Sequence, residues 1–207
     1  MKLSFFFATF FISLFIVGCA GQTLPPYIIE DIEETYENIQ SYSAVIENRL
    51  EGDRFDVDQE WQLSVQKPDK YKRVLTKVND EALEPPAVEI CNGARLYNSD
   101  VGITEPYNCE KFVGQTFDVI EKLNSFSSDL YDSTLTLDNN NFKVKIIHVE
   151  SGGETNIFVD KESYLIKNVM YRTSQSDGSV SIRNEVYKNI ILNQNFDSDE
   201  FEIPSDN

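Results

Sequence analysis

The three cysteines are the residues of this chain with the most reactive side chains, and they suggest two kinds of chemistry. Cys91 and Cys109 have 17 residues between them, and such a pair in an oxidising compartment typically forms a disulfide. A metal site and free thiols are the alternatives. A metal site has few candidate ligands, because His148 is the only histidine and no second cysteine lies at close spacing. The spacing therefore predicts a disulfide and no metal site.

Other side chains that could take part in catalysis lack the partners that catalysis needs. His148 lies in the apolar segment Lys145–Val149, where a histidine is more often a strand or core residue than a base. The acidic pairs Asp56/Asp58 and Asp197/Asp199 are typical of solvated turns, and no twelve-residue calcium loop surrounds them. The sequence also lacks a phosphate-binding glycine loop and a zinc signature. We therefore expect no catalytic residues, no cofactor and no enzymatic activity.

The third cysteine follows a secretory signal. Lys2 precedes an apolar run, Leu3–Val17, that is shorter than the roughly 20 residues needed to span a bilayer. Ile16-Val17-Gly18-Cys19 resembles the lipobox of bacterial and archaeal lipoproteins. That resemblance implies lipid attachment at Cys19 and cleavage after residue 18. An ordinary cleaved signal with a chance cysteine, or an uncleaved anchor, would be the alternatives.

These features predict the organisation of the chain. Residues 1–18 are a lipoprotein signal peptide, residues 19–26 a lipid-anchored tether, and residues 27–207 one domain. The predicted location is extracytoplasmic, with the protein held on the cell membrane. Removing Lys2 with the signal changes the net charge from −17 to −18. A protein with this negative net charge repels nucleic acid, and we do not expect it to bind nucleic acid.

The order of hydrophobic periods predicts an α+β fold. Ile28, Ile32, Tyr36 and Ile39 recur at helical spacing after Pro25-Pro26, which predicts a helix between residues 25 and 40. Alternating apolar and polar residues then predict about ten strands, interrupted by a second helix at Gly114–Asn124. Such an arrangement favours a strongly curved antiparallel sheet whose concave face is covered by the helices.

Several short segments, in this order, resemble the LolA/LolB lipoprotein-carrier superfamily. They are Tyr36–Tyr42, Lys67–Lys72, Asn92–Tyr97, Asp160–Val169 and Phe196–Pro204. The resemblance covers nearly all of residues 27–207. It implies an incomplete β-barrel closed by helices, with an apolar interior that holds acyl chains in family members. Because Cys19 lies in a lipobox, the chain looks most like the anchored relatives of Gram-positive bacteria and archaea.

The resemblance suggests that the concave side of the sheet, which we call the cup, binds an apolar ligand. This ligand would be either a lipid or the acyl chain of another lipoprotein. Bulky residues on one face are the expected cavity lining: Trp61, Leu63, Val65, Phe117, Ile120, Phe142, Val144 and Ile146. A packed core gives the same alternation of residues. The alternative function is therefore an envelope sensor or regulatory lipoprotein whose cup is filled by its own side chains and which binds a protein partner. A plain structural surface protein is a third possibility.

Overall fold

The computed structural model describes residues 27–110, 113, 131–174 and 177–204. Within these ranges, helix α1 spans Tyr27–Glu37. Eleven strands follow in the order β1 Ser41–Gly52, β2 Phe55–Gln66, β3 Lys70–Val78, β4 Glu81–Asn92, β5 Arg95–Asn98, β6 Ile103–Pro106, β7 Tyr131–Asp138, β8 Asn141–His148, β9 Glu154–Asp160, β10 Ile166–Ser174 and β11 Val180–Leu192. The predicted signal peptide, the tether and the second predicted helix lie outside the described residues.

All eleven strands form one antiparallel sheet in the order β6-β5-β4-β3-β2-β1-β11-β10-β9-β8-β7. Neighbours in the sheet are neighbours in the chain except at the centre, where the first strand pairs with the last. The sheet is open, because β6 and β7 are its two edges. The predicted antiparallel sheet is confirmed, and the described part of the chain contributes eleven strands to it where about ten were predicted.

Helix α1 packs on one face of this sheet, which we call the inner face. Ile28 and Ile32, near the start of the helix, join an apolar cluster built from β8, β9 and β10. Ile39, just after its end, joins a second cluster built mainly from β1 to β4. Tyr36 contacts both clusters. The helix therefore connects the two halves of the sheet, as expected for an amphipathic segment with an apolar stripe.

Prolines usually interrupt a strand, yet Pro85 and Pro86 both lie within β4. Leu75 pairs with Ala87 and Lys77 pairs with Ala82, so four residues of β4 lie opposite a single residue of β3. Proline has no N–H to donate to a strand ladder, and an irregularity of this kind needs no donor there. The strand bulges at this point and does not end.

The predicted disulfide between Cys91 and Cys109 is confirmed. Cys91 lies at the end of β4, and Cys109 follows β6, so the bond closes a loop that contains the β5–β6 hairpin. Both cysteines are fully buried in the second apolar cluster. The bond therefore ties one edge of the sheet to the core beside α1.

Candidate functional site

The inner face is apolar where α1 covers it. Tyr42 of β1 pairs with Val65 of β2, Val65 with Tyr71 of β3, and Tyr71 with Cys91 of β4. All four side chains are buried. Because side chains alternate between the two faces of a strand, this row fixes which residues of each strand face inward.

The structure places the predicted lining residues in two separate groups. Leu63 and Val65 belong to the cluster of β1 to β4, and a second group belongs to the cluster on the other half of the sheet, namely Phe142, Val144 and Ile146. Trp61 is half-buried on the same face as Leu63 and belongs to neither cluster. Phe117 and Ile120 lie outside the described residues. Their role as cavity lining stays a prediction.

A small apolar cavity lies between the end of α1 and the strands beneath it. Its volume is about 30 Å³, which is room for one or two water molecules. The lining residues are Tyr36, Ile39, Tyr42, Leu165, Ile166, Tyr187, Ile190 and Leu192. An acyl chain would enter this space only if α1 moved away from the sheet.

Polar contacts fasten α1 to the sheet at both ends. The Tyr164 hydroxyl donates to a carboxylate oxygen of Asp31 over 3.2 Å near the start of the helix. Near its end, the Tyr36 hydroxyl accepts a hydrogen bond from the Ile166 N–H over 2.8 Å. The Lys67 ammonium donates to the Tyr36 carbonyl over 2.9 Å. A cation at this C-terminal end of the helix also interacts favourably with the helix dipole.

Burial raises the pKa of Tyr36 from 10 to about 12, while the hydrogen bond from the Ile166 N–H opposes this shift. The neutral phenol therefore stabilises the fold fully below pH 10, and this contribution is lost as the pH rises towards 12. We expect urea unfolding to show a loss of at most roughly 3 kcal/mol from this group. Tyr36→Phe should release one proton fewer on alkaline unfolding, and an unchanged pH dependence would contradict this assignment.

Beyond α1 the inner face carries polar residues among apolar ones. We define the polar band as Asn48, Gln59, Arg73, Glu89 and Glu185, which register pairing places on the same face as Tyr42 and Val65. The band runs across five central strands, from β4 to β11. Alternating Leu, Val and Ile would be expected at these positions if the face were only a core.

The first part of the polar band surrounds Trp61. The guanidinium of Arg73 lies 4.9 Å from the centre of the indole ring, within the range of a cation–π contact. Arg73 also pairs with Glu89 over 3.0 Å, and Glu89 accepts a hydrogen bond of 2.6 Å from the Tyr71 hydroxyl. Burial, followed by the bond to Glu89, raises the pKa of Tyr71.

The second part of the polar band lies on β1 and β11. Glu185 is buried, pairs with Arg183 and accepts a hydrogen bond of 3.0 Å from the Tyr187 hydroxyl. Burial, and then the charge of Glu185, raise the pKa of Tyr187 well above its ordinary value. Asn48 lies between the two parts, since it pairs in register with both Gln59 and Glu185.

His148 lies at the end of β8 and contacts Ser151 in the following turn. The Ser151 hydroxyl is 3.1 Å from Nδ1 of the ring, and the Ser151 N–H donates to the same nitrogen over 3.2 Å. The Gly153 N–H donates in turn to the Ser151 hydroxyl over 3.3 Å. These contacts join residues at most three positions apart, so they hold the β8–β9 turn in shape.

The opposite face of the sheet carries a charged groove of about 290 Å³. Ion pairs on this face include Lys77 with Glu60 at 2.9 Å and Arg49 with Asp56 at 3.1 Å. Arg49 also lies 3.9 Å from Asp58, so both members of one predicted acidic pair face a single arginine. Within the described ranges no three His, Cys, Asp or Glu residues lie close enough together to hold a metal ion.

No family model matches this sequence, and no curated protein matches it. Similar solved structures include a LolA superfamily protein from Nitrosomonas europaea, with a TM-score of 0.44 and 8% identity over 86% of this chain and 96% of that chain. The Mycobacterium tuberculosis lipoprotein LppX has a TM-score of 0.47 and 12% identity over 84% of this chain and 99% of that one.

The Pseudomonas aeruginosa MucA/MucB complex contains a third similar chain, with a TM-score of 0.48 and 12% identity over 86% of this chain and 60% of that one. The superfamily that the sequence resembles is thus among the similar structures. Separately, no helix in the described part of the chain is long and apolar enough to cross a bilayer.

Proposed function

We propose that this protein is a cell-surface lipoprotein, anchored through Cys19, whose sheet forms a cup for an apolar ligand. The ligand is a lipid or the acyl chain of another lipoprotein. In this proposal the sheet is strongly curved, an incomplete barrel, and its concave side is covered by α1 and by the predicted helix Gly114–Asn124. The protein acts outside the cytoplasm by binding, and no catalytic step is assigned to it.

The mismatch in size between α1 and the inner face carries the proposal. Eleven residues of helix extend about 16 Å, whereas eleven strands at about 4.8 Å spacing would extend about 48 Å if flat. Apolar inward-facing residues of the central strands remain only half-buried beyond the two clusters, among them Leu50, Val57 and Leu75. Covering such surface with an apolar ligand gains about 25 cal/mol per Å².

Trp61 allows ligand binding to be measured directly, because it is the only tryptophan and lies half-buried on the inner face. Native mass spectrometry of gently purified protein should show a co-purifying lipid. After delipidation, adding a long-chain fatty acid should shift the Trp61 emission to shorter wavelength, since an acyl chain replaces water beside the indole.

A short-chain acid with the same carboxylate is the matched control for this titration and should cause little shift. Trp61→Phe should remove the optical signal while the co-purifying lipid remains visible by mass. Absence of any lipid in the purified protein, together with an unchanged emission spectrum, would contradict a ligand-binding cup.

Tight packing beside α1 favours a second candidate, in which the cup is filled and the protein acts through a protein partner. Ile32, Val65 and Val159 are fully buried, and the apolar cavity beside α1 holds only about 30 Å³. A pull-down from membranes that yields one stoichiometric partner, with no co-purifying lipid, would support this candidate. A hydrolytic activity that depends on named residues would contradict both candidates.

A further inference from the structure

The polar band contains one buried acceptor whose orientation is fixed by its neighbours. The indole N–H of Trp61 donates to Oε1 of Gln59 over 3.2 Å. Because an indole nitrogen can only donate, the Gln59 oxygen must face it. The amide nitrogen of Asn48 donates to the same Gln59 oxygen over 3.1 Å. The donor end of Asn48 is therefore fixed, and its Oδ1 atom points away from Gln59.

Oδ1 of Asn48 has no hydrogen-bond partner within the part of the chain that the structure describes. The residue is only 7% exposed, so bulk water does not readily satisfy this oxygen. Leaving a buried acceptor unpaired costs about 1 to 3 kcal/mol. Such a group on a candidate binding face indicates a ligand that supplies the missing donor.

The charges of the polar band determine which kind of donor fits. Arg73 is paired with Glu89, and Arg183 with Glu185. The band and Arg183 together therefore carry no net charge. An anionic head group would lie beside the carboxylates of Glu89 and Glu185, while the two arginines that could neutralise it are already paired. A cationic head group would find both carboxylates already neutralised by these arginines. A neutral hydroxyl group satisfies Asn48 at the smallest desolvation cost.

We propose that the cup selects neutral amphiphiles with hydroxyl-bearing head groups, and that Asn48 Oδ1 accepts a hydrogen bond from the hydroxyl. The acyl chain would then lie on the half-buried apolar residues that neighbour the polar band on the inner face, Leu50, Val57 and Leu75. This assignment rests on the proposed function, and it adds the class of ligand to it.

Two probes with the same acyl chain test the assignment, monooctanoylglycerol with two hydroxyls and methyl octanoate with none. Titration of delipidated protein, followed by Trp61 emission, should give about tenfold tighter binding of monooctanoylglycerol, the value expected when an unpaired buried acceptor is satisfied. Octanoate, with the same chain length and an anionic head, should bind more weakly than monooctanoylglycerol.

Asn48→Leu should bind monooctanoylglycerol and methyl octanoate with about equal affinity, because leucine is similar in size to asparagine and lacks the acceptor oxygen. Affinity for methyl octanoate should change by less than about twofold. Asn156→Leu is the matched control: Asn156 is also buried with an unpaired oxygen, but it faces the other side of the sheet, so its loss should leave the preference unchanged.

These titrations test ligand binding by the cup and head-group selection by Asn48 separately. If the unaltered protein binds the two neutral probes with equal affinity, Asn48 does not select the head group, and this result needs no folded variant. Such a result remains compatible with a cup that binds apolar ligands. Failure of both probes to bind overturns the cup itself, and the head-group preference falls with it. A preference that survives in Asn48→Leu contradicts the assignment to this residue.

Discussion

Cys19→Ser is expected to move the protein from the membrane fraction into the medium. Serine has no thiol, so the thioether that would carry a diacylglyceryl group cannot form. Each buried methylene contributes about 0.8 kcal/mol to membrane binding, and two acyl chains hold a protein firmly where one does not. We therefore expect nearly all of the unaltered protein, and almost none of the variant, to sediment with membranes.

Gln22→Ser, in the predicted tether, is the matched control for Cys19→Ser and should remain in the membrane fraction. The mass of the mature protein adds a second measurement, since it should correspond to residues 19–207 plus the lipid. If Cys19→Ser stays in the membrane and retains residues 1–18, the apolar run is an uncleaved anchor. Unaltered protein without acyl groups would identify an ordinary cleaved signal.

Removing the disulfide is expected to lower the free energy of unfolding by about 3 kcal/mol. The bond joins residues 18 positions apart, and closing a loop of that length restricts the unfolded chain by about this amount. Alanine should replace Cys91 and Cys109 together, because both sites are fully buried and serine would add the cost of burying two hydroxyls. Urea denaturation of the domain at residues 27–207 measures the difference.

A reducing agent applied to the unaltered domain is an independent way to open the disulfide and should cause a loss of similar size. The same agent should leave the Cys91→Ala/Cys109→Ala variant unchanged. A difference below about 0.5 kcal/mol between the oxidised and the reduced domain would contradict a stabilising role for the bond.

Only part of the inner face could be predicted from the sequence. The structure places Leu63, Val65, Phe142, Val144 and Ile146 on one face of the sheet, and their role as cavity lining stays a prediction. The alternation of residues missed the polar band, although a signal was present, because Asn48 and Gln59 occupy inward positions of their strands where apolar residues would continue the pattern. Alternation assigns a face to a residue, but only the pairing of strands shows which polar residues meet across it.

Local sequence patterns predicted the type of most of the described elements, because the periods of two and 3.6 residues are consequences of backbone geometry. The sequence also determined the helix near Ile28–Ile39 and made the Cys91–Cys109 bond the natural pairing of two cysteines. Only the folded chain shows that β1 pairs with β11, with partners 129 to 150 positions apart in the chain, that Pro85 lies in a bulge, and that Asn48 lies between Gln59 and Glu185. Pairing between distant strands depends on packing and loop closure across the whole domain, which no local pattern records.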